Sequence, residues 1–137
     1  QVNLNSLMTC AGQFYDLLKQ AKGSLVIISS TAAFHATVGN PGYNASKAGA
    51  AGLTRTLGKA WAPDGIRVNG IAPGLIATKM TKVTTDNPKR REATIQSIPV
   101  GRIGDPDDMA GLALFLASPL AGYIIGQTII ADGGLLL

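Results

Sequence analysis

Tyr43 and Lys47 stand four residues apart where a helix pattern begins, and Ser30 lies thirteen positions upstream, at the end of an apolar run. Residues four apart on a helix share one face, so we expect the Lys47 ammonium beside the Tyr43 phenol, where it favours the ionised form. A phenol ordinarily loses its proton near pH ~10, so acid–base work at neutral pH needs such help. With Ser30 polarising the substrate oxygen that Tyr43 protonates, the three residues predict a proton-transfer site for a carbonyl or an alcohol.

The Tyr-x-x-x-Lys spacing alone also fits an amphipathic helix start with a solvated lysine, and the surrounding motifs favour the chemical reading. These motifs are Asn3-Leu4, Ser30 after an apolar run, Tyr43 with Lys47, Arg67-Val68-Asn69, Pro73-Gly74 with Thr78, and Asp132-Gly133-Gly134. Their order closely resembles that of the short-chain dehydrogenase/reductase family, which consists of NAD(P)-dependent oxidoreductases on a Rossmann-type fold. The resemblance covers essentially all 137 residues, yet they match only the C-terminal half of such an enzyme.

By this resemblance, Tyr43 is the general acid/base and Ser30 holds the substrate oxygen. Lys47 favours the ionised phenol and binds the hydroxyls of the nicotinamide ribose. Asn3 matches a helix asparagine that, in the relatives, holds a water in the proton relay from Lys47 to solvent. Without the resemblance, Asn3 would be interpreted as a polar residue near a helix end.

The resemblance also implies a cofactor contact after the second predicted strand. The turn there matches one whose backbone borders the nicotinamide, followed by a threonine hydroxyl that meets the carboxamide or a phosphate. In isolation, Pro-Gly indicates only a turn. The implied cofactor contacts are Tyr43, Lys47, Pro73, Gly74, Ile76 and Thr78.

The glycine-rich turn that holds the cofactor pyrophosphate in this family is not found in the sequence. Neither Gly-x-x-x-Gly-x-Gly nor Gly-x-Gly-x-x-Gly occurs, and the Asn-Asn-Ala-Gly segment and the strand that distinguishes NAD from NADP are missing too. The preference between NAD and NADP is therefore unreadable. Because the chain opens at Gln1 inside a helical pattern, we expect residues 1–137 to be the C-terminal catalytic portion of a single Rossmann-fold domain, without its N-terminal cofactor-binding half.

Composition fits half of an α/β domain. With 46% apolar and 15% charged residues, we expect a packed interior rather than disorder. No apolar run is long enough for a bilayer, no metal-ligand cluster is evident, and Cys10 is the one cysteine, which favours a reducing, cytoplasmic setting. The 12 basic and 8 acidic residues give a charge of +4, and they lack the clustering of a nucleic-acid surface.

Apolar periodicity predicts the order helix, strand, helix, strand, lid, helix, strand. This is an α/β fold, the C-terminal half of a Rossmann-type doubly wound parallel sheet with three strands and flanking helices. The strand that ends at Ser30 is expected at an exposed edge, because its neighbour toward the sheet centre is missing. The predicted strands are 25–28, 66–72 and 127–131, and the predicted helices are one ended by Lys22-Gly23-Ser24, 43–61, a short one at 89–98, and one capped by Asp105 and ended by Ser118-Pro119.

Two further features bear on partners. Small residues in the second helix predict close approach of another backbone, and in the relatives this helix and the preceding one form a four-helix dimer interface, so a homodimer or homotetramer is expected. The lid over 75–98 is basic, which indicates either a solvated face or a surface suited to a phosphate-bearing acyl carrier or coenzyme A thioester. His35 has no cysteine or carboxylate at metal-ligand spacing and lies in a predicted loop beside the substrate region, so it is interpreted as a surface residue or as a neighbour of the site rather than as a catalytic group.

The predicted function is hydride transfer between NAD or NADP and a small-molecule ketone or secondary alcohol. Reduction of 3-oxoacyl thioesters and oxidation of sugar or steroid alcohols both remain open, because one lid sequence does not encode a pocket shape. The alternative is a truncated, non-catalytic chain that keeps the dimerising helices and acts as a dimerisation or assembly module.

Overall fold

The computed structural model describes residues 2–137, and within them a three-stranded parallel sheet is flanked by five α-helices. The predicted order of elements is confirmed. In chain order the elements are α1 (Val2–Ala21), β1 (Ser24–Ile28), α2 (Pro41–Trp61), β2 (Arg67–Pro73), α3 (Lys82–Thr85), α4 (Pro88–Ser97), α5 (Pro106–Ala117) and β3 (Thr128–Ala131).

The strand order is β1-β2-β3, which places β1 at one edge of the sheet that residues 2–137 form. Ser24 of β1 is level with Arg67 of β2, and Gly70 of β2 is level with Thr128 of β3. Since the bonding groups of a parallel ladder alternate along the strand, the N–H and C=O of Val26 and Ile28 face away from β2. The predicted exposed edge is therefore confirmed.

Helices cover both faces of the sheet. On one face, Ile27, Ile66 and Val68 are buried beneath α1 and α2. On the other face, Ile71 packs with Leu116 of α5 and with Ala121. The core is thus divided by the sheet, and the central strand β2 contributes to both halves, as expected for a doubly wound arrangement.

Two details of the sequence prediction are wrong. The run 25–28 predicts burial on both faces, but the side chain of Ile28 is 49% exposed, because β1 lies at the edge of the sheet. Helix α2 begins at Pro41 rather than at Tyr43, because Asn40 caps it with a side-chain oxygen that accepts from Tyr43 N–H, and Pro41 takes the first helical position.

The lid contains more regular structure than the sequence predicts. The short helix predicted at 89–98 is observed as α4, and it is preceded by the single turn of α3. Asn87 caps α4 by accepting from Arg90 N–H, which is a local signal that sequence reasoning missed.

Helices α1 and α2 approach closely at the small residues of α2. A Cβ added to Gly49 would lie 2.9 Å from Leu4 Cδ2 of α1, so the neighbour at this glycine is a side chain rather than the predicted second backbone. At the far end, Tyr15 and Lys19 of α1 both contact the carboxylate of Asp64, and the hydrogen bond from Lys19 holds the pKa of Asp64 below its ordinary value. These contacts fix α1 against the turn that follows α2.

Residues 2–137 show neither a membrane-spanning helix nor a metal-binding group of side chains. None of the helices combines the length and apolar character needed to span a bilayer. Within the same part of the chain, no group of three or more His, Cys, Asp or Glu side chains is placed to hold a metal ion.

We expect Leu116→Ala to lower the free energy of unfolding by about 2–5 kcal/mol, because the side chain is fully buried and its removal leaves a cavity. Leu114→Ala is the matched control in the same helix, since Leu114 is 73% exposed and its change should stay within about 0.5 kcal/mol. Urea unfolding monitored by circular dichroism measures both. Equal losses would contradict the placement of α5.

Candidate active site

The buried residue Ser29 joins the end of β1 to both of its neighbours. Its N–H donates to Ile71 O of β2 at 2.7 Å, and its hydroxyl donates to Lys47 O of α2 at 2.9 Å. One residue therefore fixes the carboxyl end of β1 against the first turns of α2. Ser30 follows directly, so the predicted catalytic residues of the strand and of the helix are brought to the same end of the sheet.

Ser30 uses its hydroxyl oxygen locally and keeps its hydrogen available. The oxygen accepts from Ala32 N–H at 3.2 Å and caps a short 3-10 turn, Thr31–Ala33. A serine hydroxyl accepts and donates at once, and no other described residue takes the Ser30 hydrogen. Ser30 can thus donate to a substrate oxygen without losing its structural bond.

Tyr43 and Lys47 lie on one face of α2, as their spacing predicts. The Lys47 ammonium is 5.7 Å from the centre of the Tyr43 ring, within reach of a cation–π interaction. Tyr43 is half-buried, and its N–H is bonded to the cap residue Asn40. The Tyr43 hydroxyl has no partner among the described residues, which leaves it free for proton transfer.

Among residues 2–137, the Lys47 ammonium has one hydrogen-bond acceptor, and two of its N–H groups make no hydrogen bond. It donates to Ile28 O at 3.0 Å, a carbonyl that faces away from β2. An ammonium has three donors, so two remain for a ligand. Lys47 is thus held at the outer edge of β1, beside Tyr43.

Asn3 of α1 reaches the site through Ser46 rather than through Lys47. Its Nδ2 donates to Ser46 Oγ at 3.3 Å, and Ser46 Oγ donates to Tyr43 O at 2.8 Å. Asn3 is exposed, and this bond links α1 to the first turn of α2. The predicted water relay from Lys47 stays a prediction.

The turn after β2 lies against the end of β3. Pro73 ends β2, and Gly74 N–H donates to Ala131 O at 3.0 Å. A Cβ on Gly74 would lie 2.6 Å from Asp132 Cβ, so the close approach of the two strand ends requires glycine here. The predicted nicotinamide turn is consequently fixed by β3.

The remaining predicted cofactor contacts follow this turn. Ile76 forms a parallel bridge with Gly104, and the two segments exchange backbone hydrogen bonds at their flanks. Thr78 N–H donates to Thr81 Oγ1 at 2.9 Å, which starts a short turn of the lid. The structure therefore places Ile76 and Thr78 on the chain that leaves the carboxyl end of the sheet.

An ion pair that sequence reasoning missed supports this segment. Arg102 makes two hydrogen bonds of 2.7 Å with Asp108, whose carboxylate also accepts from Asp105 N–H at 2.7 Å. The bonds from Arg102 hold the pKa of Asp108 well below its usual range. The sequence indicates the bond between Asp108 and Asp105, because the two residues have the three-residue spacing of a capping box. It does not indicate the bond to Arg102. The pair steadies the chain around Gly104.

A cavity of about 230 Å³ lies beside the same segment. Its apolar walls include Leu75, Val100 and Met109, and its polar rim includes Arg102 and Asp132. Ile76 also lines it, so the cavity adjoins the predicted nicotinamide turn.

Asn69, from the motif Arg67-Val68-Asn69, is fully buried in β2. Its Nδ2 donates to Ile124 O at 2.7 Å, and its Oδ1 accepts from Gln127 N–H at 3.0 Å. Both ends of the amide thus hold the segment that leads into β3.

The donor set suits one end of a dinucleotide. Hydroxyl and ammonium donors at Ser30, Tyr43 and Lys47 match a substrate oxygen and the hydroxyls of a ribose. The turn at Gly74 brings backbone close to the same end of the sheet, where ligands bind in open α/β sheets. Residues 2–137 contain no glycine-rich turn that could bind the pyrophosphate. The described residues therefore fit the nicotinamide end of the cofactor and not its pyrophosphate.

Comparison with known proteins gives consistent findings. The family model described as Enoyl-(Acyl carrier protein) reductase matches residues 1–136. The 2-dehydro-3-deoxy-D-gluconate 5-dehydrogenase of Bacillus subtilis (strain 168) is 44% identical over 136 residues, which cover 97% of this chain and 53% of that protein. The 3-oxoacyl-(acyl-carrier-protein) reductase FabG of Chlamydia pneumoniae is 44% identical over 134 residues, with coverage of 97% and 53%. The chain thus spans about half the length of the curated relatives it matches.

A solved structure shares the fold. The crystal structure of a gluconate 5-dehydrogenase from Burkholderia cenocepacia J2315, in complex with NADP and tartrate, superposes with a TM-score of 0.92 at 30% sequence identity. The match covers 98% of this chain and 53% of that one.

We expect Gly74→Ala to lower the free energy of unfolding by about 1–3 kcal/mol, because its Cβ would overlap Asp132. Gly42→Ala is the matched control, since a Cβ there meets no atom within 4 Å and alanine suits the first turn of α2. Thermal and urea unfolding compare the two variants. Equal stability would show that the ends of β2 and β3 do not meet as described.

Proposed function

Because this chain belongs to the short-chain dehydrogenase/reductase family, we propose that residues 1–137 are the C-terminal catalytic portion of an NAD(P)-dependent oxidoreductase. The proposed reaction moves hydride between the nicotinamide and a ketone or secondary alcohol. The observation that carries this proposal is that Lys47 lies beside Tyr43 and donates to Ile28 O, two residues before Ser30, and that all three side chains keep unused donors.

In the reductive direction, Tyr43 donates its proton to the carbonyl oxygen while the carbonyl carbon receives hydride. NAD(P), when bound, supplies that hydride or accepts it in the reverse direction. Ser30 donates a hydrogen bond to the same oxygen and fixes its position. The Lys47 ammonium stabilises the phenolate left on Tyr43 after the transfer, because opposite charges lie close together.

The same residues would hold the cofactor. The two unused N–H donors of Lys47 fit the hydroxyls of the nicotinamide ribose. Pro73, Gly74 and Ile76 would border the nicotinamide with backbone, and Thr78 would bond its carboxamide or phosphate. Asn3, held in place by its hydrogen bond to Ser46, would bind a water in the proton relay between Lys47 and solvent.

The substrate is proposed to be a small-molecule carbonyl or alcohol. The relatives from Bacillus subtilis and Chlamydia pneumoniae are named for a dehydro sugar acid and for a 3-oxoacyl carrier protein. The first name describes dehydrogenation at carbon 5 of that acid, and the second describes reduction of a 3-oxo group. A secondary alcohol and a ketone are the two forms of the group that Tyr43 and Ser30 would address. The cavity beside Ile76 is not lined by Ser30, Tyr43 or Lys47, so it does not choose between a 3-oxoacyl thioester and a sugar or steroid alcohol.

Assembly as a homodimer or homotetramer through α1 and α2 is also proposed. An apolar groove between these helices is lined by residues that include Met8, Leu53 and Trp61. Met8 and Phe14 of α1 are 56% and 54% exposed, so the helix pair presents apolar surface. A cytoplasmic location is proposed from the single free cysteine, Cys10.

The same surface favours a second candidate function. A chain of about half the length of its relatives could act as a dimerisation or assembly module through α1 and α2. Turnover separates the two candidates, because an assembly role does not require the Tyr43 hydroxyl.

We expect Tyr43→Phe to lower kcat by at least about 10²-fold, because it removes the acid/base and little packing. The assay uses a chimera in which these residues replace the matching half of the Bacillus subtilis relative, with carbonyl reduction followed by NAD(P)H absorbance. Tyr123→Phe is the control, since Tyr123 is fully exposed. A kcat within about tenfold of the unsubstituted chimera would show that Tyr43 is not the acid/base.

The 137-residue chain by itself is expected to show no NAD(P) binding in titration calorimetry, because its residues meet only the nicotinamide end of the cofactor. Sedimentation should show oligomers, since the edge of β1 and the α1–α2 groove are open. The chimera serves as the positive control for binding. A soluble monomer with micromolar affinity for either cofactor would overturn this expectation.

A further inference from the structure

The connection between Ser30 and Tyr43 is anchored at both ends. At the start, Ser30 caps the turn Thr31–Ala33 through its side chain and its carbonyl. At the end, Asn40 Oδ1 accepts from Tyr43 N–H at 3.1 Å and starts α2. The middle of this loop connects the two residues that carry the proposed reacting hydroxyls. Its path therefore determines which side chains can lie near them.

Asn44 holds the middle of the loop. Its Nδ2 donates to His35 O at 2.8 Å. Only the amide N–H can make this bond, because a side-chain oxygen facing a carbonyl oxygen would repel it. Since Asn44 follows Tyr43 on the first turns of α2, the bond fixes the backbone of His35 relative to the Tyr43 side of the helix.

Stability alone does not account for asparagine here. Asparagine is a poor helix former compared with alanine. The Asn44 Oδ1 is also buried and accepts no hydrogen bond from the described residues, which is unfavourable for a polar atom. Asparagine supplies the hydrogen-bond donor to His35 O at this position. Its contribution is therefore to fix the position of the loop backbone.

The side chains carried by this loop are exposed. Phe34 is 43% exposed, His35 is exposed, and Val38 is 95% exposed. The loop that joins Ser30 to Tyr43 therefore presents an aromatic, an imidazole and an aliphatic group on its surface. Such side chains are placed by the backbone that carries them, and that backbone is tied by Asn44.

We infer that Asn44 is a positioning residue for the substrate, which sets the path of the loop 31–40 beside the proposed catalytic hydroxyls by bonding His35 O. The inference rests on the proposed oxidoreductase function. Loss of the bond leaves the proton donor intact and shifts the wall against which the substrate lies. A displacement of about 1 Å in a bound substrate is enough to cost about 10²-fold in rate.

Two substitutions of the same size and charge separate this role from general damage. In N44D, the introduced carboxylate at neutral pH has acceptors only and cannot donate to His35 O. In N40D, the carboxylate keeps the acceptor that Tyr43 N–H uses, so the helix cap survives. N44D and N40D each add one negative charge at the same end of α2, but only N44D removes the hydrogen bond to His35 O. N44A removes the donor without adding charge.

The structural part of the test is hydrogen–deuterium exchange of the 137-residue chain. We expect amides within 31–40 to exchange at least about fivefold faster in N44D and N44A, and to stay unchanged in N40D. The melting temperatures of N44A and N40D should remain close to that of the unsubstituted chain. That of N44D should fall, because its carboxylate stands at a buried position opposite a carbonyl oxygen. Unchanged exchange in N44D and N44A, or equal acceleration in N40D, would overturn the inference.

The functional part uses the chimera described above. In N44D and N44A we expect kcat/KM for the carbonyl substrate to fall by about 10²-fold, with a raised substrate KM and an unchanged cofactor KM. N40D should remain within about twofold of the unsubstituted chimera. A parallel rise of both KM values would indicate general disorder and contradict a positioning role. A chimera with no turnover even before substitution contradicts the proposed function, while the exchange experiment still decides whether Asn44 holds the loop.

Discussion

The site depends on one buried serine. Ser29 donates its N–H to Ile71 O in the central strand and its hydroxyl to Lys47 O in α2. Because the residue is only 3% exposed, both bonds lie in a low dielectric, where a broken bond is costly. The strand that carries Ser30 and the helix that carries Tyr43 therefore cannot move apart without unfolding this corner of the molecule.

The groups at this corner differ from other hydrogen-bonded polar groups of the structure. Asn69 uses both ends of its amide, and Asp108 is bonded to Arg102 and to backbone. Ser30, Tyr43 and Lys47 instead keep donors that no described residue accepts. Unused donors held in fixed positions are suited to a ligand, since the orientation of the groups is set before the ligand binds.

The sequence by itself determined the order of the elements and the residue types of the site. Apolar runs and the cap at Asp105 are local signals, and they correctly predicted three strands and the start of α5. A spacing of four residues was enough to place Tyr43 and Lys47 on one face of a helix. The edge position of β1 followed from the missing neighbour, although the exposure of Ile28 did not follow from its apolar run.

Only the tertiary structure decided how these residues meet. The bonds from Ser29 to Lys47 O, from Lys47 to Ile28 O and from Asn3 to Ser46 join residues 18, 19 and 43 positions apart. The tie from Asn44 to His35 O spans nine positions across an irregular loop. No periodicity encodes such contacts, because their geometry depends on strand register and on the depth at which α1 and α2 pack against the sheet.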